Sequence, residues 1–512
     1  MNIDTFLKHY GVNENPFLAE EAKDDPVYLR MMAQGETHPD FDKVFGSTEH
    51  PSTAVVFGNK GSGKTAMKMK ILDKLNEYNE SNPDKKVWVV RYDELNPFID
   101  RMLGALNRTD ASVETLSQIR LEDHHDAMLS NVVTDIVGFY NGNTNLGMTQ
   151  KGAKKARLRL RKMPIQQRRD LAHLALLYDA APKETEGRRW SRMKGLTRGR
   201  AIPLHLLGLL AFVLLVIAGV SIAWALKALP FLSMPEMIKP LYAWILGGIT
   251  GFFGVISLGK WLGAQGKLGG MARKLSRQLR FVGRSPREIK RKLGALQLAD
   301  LKTQPIPSDD DQDARYELTR RTIGVLEALG FTSIMVVMDR IDEPTKINGD
   351  ADKMKALIWP MLNNKFLQQD QVGFKLLLPS ELGEMLKEED ADFLHSLRLD
   401  KQNLTNMNWT GSSLYDLCSR RMQNCRPAFG RGGQRLAEVK LRDFFDEEVS
   451  QEHLVAWLEE VKQPRDAFKL LYRVIQEHCR SIPEDAPNYK IGKASLENAL
   501  TRWREQKERF AG

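Results

Sequence analysis

A glycine-rich stretch of eight residues constrains the fold of this 512-residue chain more than any other feature. It matches the pattern G-x-x-x-x-G-K-S/T in full, and its residues are Gly58, Asn59, Lys60, Gly61, Ser62, Gly63, Lys64 and Thr65. The β-branched run 53–57 before it predicts a buried strand, and the apolar spacing over 66–78 predicts a helix. A second strand is predicted at 86–92. Strand, loop, helix and strand open a βαβ unit, so the fold class predicted is α/β with a parallel sheet.

The same stretch has the chemistry of a phosphate-binding loop. Glycines let the backbone wrap around phosphate groups with its N–H groups pointing inward, and the dipole of the following helix adds to this anion site. The motif predicts that Lys64 reaches the β- and γ-phosphates and that the Thr65 hydroxyl binds Mg²⁺. We therefore expect a site for ATP and Mg²⁺, although the sequence leaves the choice between ATP and GTP open.

Another apolar run, 333–338, ends in Asp339 and is soon followed by Asp342 and Glu343. An aspartate directly after a buried strand lies at the carboxyl edge of a parallel sheet, so Asp339 is predicted to lie beside the loop and hold Mg²⁺ through water. Hydrolysis also needs a group that orients or deprotonates water. Glu343 is favoured over Asp342 for this role, and helix capping in a solvated loop is the competing interpretation for both.

Three further polar residues are candidates for contact with the phosphates. Ser380 follows the predicted strand 373–378, where its hydroxyl would be close to the γ-phosphate, and a helix cap is an equally good interpretation. Arg398 is a candidate arginine finger that acts on a neighbouring subunit of a homo-oligomer, with a surface salt bridge as the commoner alternative. Arg465 opens a helix in the C-terminal region, from which it is a candidate for contact with the nucleotide.

Two long apolar runs, 204–226 and 241–262, interrupt the α/β pattern. As a helix, the first would span roughly 34 Å at about 1.5 Å per residue, which is enough for the core of a bilayer. Residues 151–300 hold 29 Lys or Arg against 7 Asp or Glu, although the whole chain has a net charge of only +10. This pattern predicts a hairpin of two transmembrane helices in the cell inner membrane, with both chain ends in the cytoplasm. A buried hairpin in a soluble domain is the competing interpretation.

The basic insert also indicates partners. Lys and Arg next to apolar runs favour anionic lipid headgroups, and nucleic acid is the less favoured partner because aromatic residues are sparse there. The pair His124 and His125 lacks metal-ligand spacing and is predicted to lie on a helix surface.

Composition divides the chain into a lead-in (1–45), a first core segment (46–150), the insert (151–300), a second core segment (301–410) and a helical C-terminal lid (411–512).

The order of these features resembles the KAP family of P-loop NTPases, in which transmembrane helices are inserted between the phosphate loop and the Mg²⁺ aspartate. GNKGSGKT at 58–65, the apolar runs and IMVVMDRIDE at 334–343 carry the resemblance. It implies a membrane-bound ATPase, and bacterial members are associated with phage defence. The family usually has a second acid where this chain has Arg340. The segment PRDAFKLLYRVI at 464–475 resembles the helical lid of STAND and origin-recognition-like ATPases.

We therefore expect Mg²⁺-dependent ATP hydrolysis that acts as a switch at the cytoplasmic membrane face. The alternative is a membrane scaffold that binds nucleotide without hydrolysing it and recruits a protein partner. An ATP-driven transporter is disfavoured, because the two apolar runs carry no ionisable side chain suited to an ion pathway. Any downstream action is expected to need an unidentified protein partner.

Overall fold

The computed structural model of the protein describes residues 1–19, 21–35, 38–141, 150–180, 183–197, 204–225, 239–296, 304–307, 313–397, 403–427 and 437–511. These residues form a mixed α/β structure, mainly helical, with a five-stranded parallel sheet. The strands are β1 (Ala54–Gly58), β2 (Lys86–Arg91), β3 (Phe331–Met338), β4 (Val372–Pro379) and β5 (Asn403–Asn406).

Helices make up most of the described residues. Those before the first apolar run are α1 (Ile3–His9), α2 (Pro26–Ala33), α3 (Phe41–Phe45), α4 (Lys64–Ser81), α5 (Asn96–Ala105), α6 (Val113–Leu116), α7 (Leu121–Asn141), α8 (Gln150–Lys162), α9 (Ile165–Tyr178) and α10 (Lys183–Lys194). The two apolar helices and their successors are α11 (Leu204–Ala225), α12 (Lys239–Gln278), α13 (Pro286–Leu293) and α14 (Asp313–Glu327). The remainder are α15 (Ala351–Ile358), α16 (Asn364–Leu367), α17 (Ser380–Lys387), α18 (Ala391–Leu397), α19 (Gly411–Asn424), α20 (Gln451–Val461), α21 (Pro464–Ser481) and α22 (Lys493–Ala511).

The order of strands in the sheet is β2-β3-β4-β1-β5. β1 pairs in parallel with β4, where Ala54 lies opposite Lys375, and with β5, where it lies opposite Asn403. Because the strands are parallel, the carboxyl ends of β1, β3 and β4 share one edge of the sheet. The four strands predicted from the sequence are confirmed. β5 is absent from that prediction, since four residues with only one apolar side chain give no strand signal.

Proline accounts for one error in the helix predictions. The sequence pattern over about 352–367 predicts a single helix, but α15 ends at Ile358 and a 3-10 turn, Trp359–Met361, separates it from α16. Pro360 within this turn lacks an N–H group, and its ring clashes with the preceding helical turn, so the helix does not continue.

The described chain separates into two compact units. Unit 1 comprises Met1–Pro83, Arg91–Glu94 and Met335–Gly512, and unit 2 comprises Asp84–Val90 and Leu95–Ile334. In unit 1 the N-terminal segment packs against the C-terminal helices, and the ring of Phe6 meets that of Phe444 edge-on at 5.2 Å between centroids. The units cut across the five segments expected from composition, whose boundaries stay a prediction.

In unit 2, α11 and α12 pack as an antiparallel pair. Gly247 and Gly254 of α12 lie so close to α11 that an added Cβ would come within 3.0 Å of Ile222 and Leu215, respectively. Both helices are long and apolar enough to cross a membrane, and only 17% and 11% of their apolar windows are buried. α12 also continues to Gln278, well past the predicted end at residue 262.

The interior of unit 2 holds charged and polar side chains that the sequence placed on the surface. His124 and His125 are both buried, so the prediction of a helix surface is wrong. The ring of His124 stacks on Phe98 at 4.7 Å, and His125 Nε2 lies 2.8 Å from the hydroxyl of Thr319. Helix periodicity alone does not reveal this burial, because α7 is covered on several sides by other helices.

Candidate functional site

The glycine-rich loop, residues 58–65, connects β1 to α4 in unit 1. Gly61 and Gly63 have φ angles of +95° and +103°, a region that residues with a Cβ rarely adopt. A Cβ on Gly61 would also lie 2.9 Å from the Cβ of Arg465. The loop ends at the N-terminus of an 18-residue helix, where free N–H groups and the helix dipole favour an anion.

The side chain of Lys64 folds back over this loop. Its Nζ donates hydrogen bonds to the carbonyl oxygens of Gly58 and Asn59, the latter at 3.1 Å. Burial lowers the pKa of Lys64, while the nearby carboxylates of Asp342 and Asp339 act to raise it. An anionic ligand would give this ammonium group a stronger partner than the neutral carbonyls of its own loop.

Asp339 lies beside Thr65, although 274 residues separate them in the chain. The hydroxyl of Thr65 donates to Asp339 Oδ2 at 3.2 Å, and the aspartate is almost fully buried at the end of β3. A hydroxyl and a carboxylate oxygen are ligands that Mg²⁺ prefers. The structure thus brings together the two residues predicted to bind the metal ion.

Two further residues, Lys68 and Asp93, lie next to this contact and were not among the predicted site residues. Lys68 Nζ lies 3.2 Å from Asp339 Oδ2 and 3.0 Å from Asp93 Oδ2, and Asp93 comes shortly after β2. Both were within reach of sequence reasoning. Lys68 lies three positions after Thr65 on a predicted helix, and Asp93 follows a predicted strand at the carboxyl edge of the sheet.

The chain turns sharply after Asp339. Arg340 has a φ angle of +60°, and its Nη1 lies 3.2 Å from Glu343 Oε2 and its Nη2 3.9 Å from Glu21 Oε2. Arg340 therefore holds Glu343, whose side chain is 54% exposed. Asp342 is instead the acid whose charge acts most strongly on Lys64. The two predicted water-orienting carboxylates thus lie at the same site with different cationic neighbours.

Of the other three candidates, two lie at the loop. Ser380 begins α17 and donates a hydrogen bond from Oγ to Oδ1 of Asn59. The backbone N–H of Arg465 donates to the carbonyl of Gly61 at 3.4 Å, and its Nε is buried without a hydrogen-bond partner among the described residues. Arg398 lies outside the described residues.

A cavity of about 290 Å³ in unit 1 connects these residues with parts of the chain that the sequence did not implicate. The loop, Asp339 and Arg465 form one side of it, and the N-terminal lead-in forms another. Trp409, which follows β5, donates from Nε1 to the carbonyl of Ser62 at 2.8 Å. The lead-in carries no local signal of a binding role, so only the tertiary fold reveals its position. The cavity residues it contributes include Tyr28, Met31, His38 and Phe41.

Within the described residues, no group of three or more His, Cys, Asp or Glu side chains is placed to hold a metal ion. Magnesium commonly binds through one or two protein ligands together with substrate phosphates and water, so Thr65 and Asp339 suit it.

A scan against protein-family models, a search of curated proteins and a search of solved structures find no match to this chain. The arrangement of the residues themselves is therefore the basis for a functional assignment.

Proposed function

We propose that this protein is a membrane-attached P-loop ATPase of the KAP type, which hydrolyses ATP with Mg²⁺ and acts as a nucleotide-driven switch. The contact of 3.2 Å between Thr65 and Asp339 carries the proposal, because it unites the end of the loop with the end of β3. The buried Nε of Arg465, which has no partner among the described residues, supports it. Arg465 lines the same cavity and can donate to an anion.

The chain's own groups would hold the phosphates. Backbone N–H groups of the glycine-rich loop and the N-terminus of α4 donate to phosphate oxygens. Lys64 exchanges the carbonyls of Gly58 and Asn59 for the β- and γ-phosphates, and Arg465 adds a second cationic donor. Charge-assisted hydrogen bonds are roughly twice as strong as neutral ones, so this exchange favours the bound state.

Thr65 and Asp339 would hold Mg²⁺, which when bound neutralises charge on the β- and γ-phosphates. Asp339 already accepts a cation, since the ammonium group of Lys68 lies 3.2 Å from its Oδ2. A flexible lysine can withdraw from this carboxylate more readily than a bidentate arginine could. The residues present therefore fit a hard divalent cation.

A carboxylate after Asp339 would orient the attacking water. We favour Glu343, because its ion pair with Arg340 fixes the side chain while leaving it half exposed. Asp342 is the alternative, although its charge acts on Lys64. A water-orienting group must be held in position close to the reacting atoms, and both acids line the cavity.

We also propose that α11 and α12 form a hairpin across the inner membrane, with both chain ends in the cytoplasm. Side chains such as Phe212 and Phe252 are 65% exposed, an unfavourable arrangement in water and a favourable one in lipid. Anionic headgroups are the proposed lipid partners, and nucleic acid is less favoured. A cavity of about 540 Å³ in unit 2 is lined mainly by cationic side chains, which are Arg120, Arg273, Lys274, Arg277, Arg280 and Arg315.

The test compares ATP binding and phosphate release by the detergent-purified wild type with those of three variants and one control variant. Lys64→Ala removes the cation at the phosphates, and we expect it to abolish binding and turnover. Glu343→Gln and Asp342→Asn separate the two acids, and the variant that binds ATP without turnover identifies the water-orienting carboxylate. Lys74→Ala is the matched control, since Lys74 lies on the same helix but is exposed and paired with Glu77.

The outcomes separate the proposal from its alternative. Turnover in the wild type and in Lys74→Ala, lost in Lys64→Ala, supports an ATPase. Tight binding without turnover, lost only in Lys64→Ala, would instead favour the nucleotide-gated scaffold. If the protein binds no nucleotide, both the ATPase proposal and the nucleotide-gated scaffold are wrong.

A switch must act on another molecule in at least one of its states, so the proposal includes an unidentified protein partner, together with a homo-oligomer of this chain. Phage defence is the biological role that the resemblance to KAP proteins implies. Plaque counts on cells that express the wild type or Lys64→Ala test that role. Equal plating across a broad phage panel would count against it.

A further inference from the structure

His38 lines the cavity that contains the glycine-rich loop and carries a buried ring nitrogen with no hydrogen-bond partner among the described residues. Its side chain is only 7% exposed, and its Nδ1 accepts a hydrogen bond from the backbone N–H of Asp40 at 3.1 Å. Burial lowers the pKa of His38, against the opposing charge of Asp40, so the ring is neutral at pH 7. Because Nδ1 is an acceptor, the proton lies on Nε2. That Nε2 is buried and has no hydrogen-bond partner among the described residues.

The position of this ring is fixed relative to the loop. His38 packs edge-on against Trp409, with 4.6 Å between ring centroids and an interplanar angle of 89°. Trp409 is itself held by its hydrogen bond to the carbonyl of Ser62 in the loop. Tyr28 ties the lead-in to the start of α4 by donating from its hydroxyl to the carbonyl of Ala66 at 2.7 Å. His38 is therefore one aromatic ring away from the backbone that would bind the phosphates.

Apolar side chains from the lead-in and from α4 form part of the cavity wall. Met31, Phe41 and Met67 line it and are each nearly fully buried. Apolar side chains together with an N–H donor suit a flat heteroaromatic ring with an acceptor on its edge. Adenine has such acceptors at its ring nitrogens, and its faces are apolar enough to lie against methionine and aromatic side chains.

We infer that His38 recognises the base of the nucleotide by donating a hydrogen bond from Nε2 to an acceptor on the edge of the base. This rests on the proposed function, since the phosphates must occupy the loop for the base to lie here. The N-terminal lead-in thus contributes to the nucleotide site, and His38 is a specificity residue. Inorganic tripolyphosphate would occupy the loop without contacting His38.

The test measures affinities of the full-length protein in detergent for ATP, for tripolyphosphate and for 1-deaza-, 3-deaza- and 7-deaza-ATP. Each deaza analogue replaces one ring nitrogen with C–H and so removes one acceptor. We expect one analogue to bind about tenfold more weakly than ATP, the effect of one lost hydrogen bond. This arm needs no variant, so a negative result overturns the inference even if a substitution at position 38 prevents folding.

The variant arm uses His38→Phe, which keeps a ring against Trp409 but removes the donor. We expect about tenfold weaker binding of ATP, unchanged binding of tripolyphosphate and no remaining difference between ATP and the deaza analogue. His38→Gln keeps an N–H donor and should restore some of the lost affinity. Equal affinity for ATP and all three analogues in the wild type would overturn the inference and leave the ATPase proposal intact. If the wild type binds neither ATP nor tripolyphosphate, the proposed function is wrong, and the inference that rests on it is wrong as well.

Discussion

Asp339 in unit 1 and Asp126 in unit 2 are both buried aspartates beside cationic side chains, but their partners differ. Asp126 accepts hydrogen bonds from Arg315 at both carboxylate oxygens, at 2.9 and 3.0 Å, and a third from the hydroxyl of Tyr178 at 3.0 Å. The contacts that Thr65 and Lys68 make with Asp339 both go to Oδ2. The guanidinium group of Arg315 contacts both oxygens of Asp126, whereas Asp339 has the flexible Lys68 at one oxygen and the Nε of Arg340 farther from that same oxygen, at 3.9 Å.

Both aspartates are buried, so burial does not distinguish them, whereas the type of cationic partner does. Arginine binds a carboxylate bidentately in a rigid geometry, whereas lysine is a compact charge on a flexible stem. Burial raises the pKa of Asp126, and the charge and hydrogen bonds of Arg315 oppose that shift. Asp126 has no free position for a new cation, and Asp339 has one if Lys68 withdraws.

The largest expected effect is on stability, in Asp126→Asn. This change leaves the guanidinium group of Arg315 buried without a counter-charge, and we expect a loss of about 3–5 kcal/mol in the free energy of unfolding. Urea denaturation in detergent measures it. Asp339→Asn is the control and should lose less than Asp126→Asn, because Lys68 retains Asp93 as a partner. Equal losses in the two variants would contradict the comparison.

The second prediction concerns catalytic activity instead of stability. Asp339→Asn should lower Mg²⁺-dependent ATP turnover by about 100-fold, because an amide oxygen is a weaker ligand for a hard cation. Turnover measured over a range of Mg²⁺ concentrations tests this. A variant that keeps wild-type turnover at the same Mg²⁺ concentration would show that Asp339 does not hold the metal ion.

Acid should destabilise unit 2 through its enclosed histidines. Burial lowers the pKa of His125 to about 3 and that of His173 to about 4. The unfolded chain takes up these protons near pH 6.5, while the folded chain resists until lower pH, so stability falls as the pH decreases from 7. Each histidine should cost about 2 kcal/mol between pH 7 and pH 5. Unfolding of His173→Asn at both pH values should show a smaller difference than the wild type, and an unchanged difference would exclude this histidine as a cause.

The smallest expected effect concerns Mg²⁺ binding after replacement of Lys68, the lysine partner of Asp339. Lys68→Met removes a cation that competes for Asp339, and we expect Mg²⁺ to bind about tenfold more tightly in the presence of ATP. Calorimetric Mg²⁺ titration measures the change, with Lys74→Met as the control on the same helix. Weaker Mg²⁺ binding in Lys68→Met would mean that this lysine positions Asp339 and does not compete with the ion.

Local patterns in the sequence were enough to predict some of the fold and of the site. The four strands β1 to β4 and the position of Asp339 near Thr65 follow from residue periodicity and from the common edge of parallel strands. The pair of Asp126 and Arg315 does not, because 189 residues separate its members and nothing in α7 marks one acid among several. His38 lies in a polar segment without periodicity, and Trp409 follows a strand too short to predict. These contacts depend on tertiary packing that no local window contains.

The strand order has a consequence for biosynthesis. Both sheet neighbours of β1 come from residues after 371, so this strand and its loop are made roughly 300 residues before their partners. At about 5–20 residues per second, translation takes about 15 to 60 s over that distance, and both apolar helices are synthesised within it. The nascent chain therefore carries an unpaired apolar strand throughout this interval and depends on chaperones or rapid burial to avoid aggregation. On the proposed function, a ribosome-bound fragment that ends before Asp339 would lack the proposed Mg²⁺ ligand and could not hydrolyse ATP.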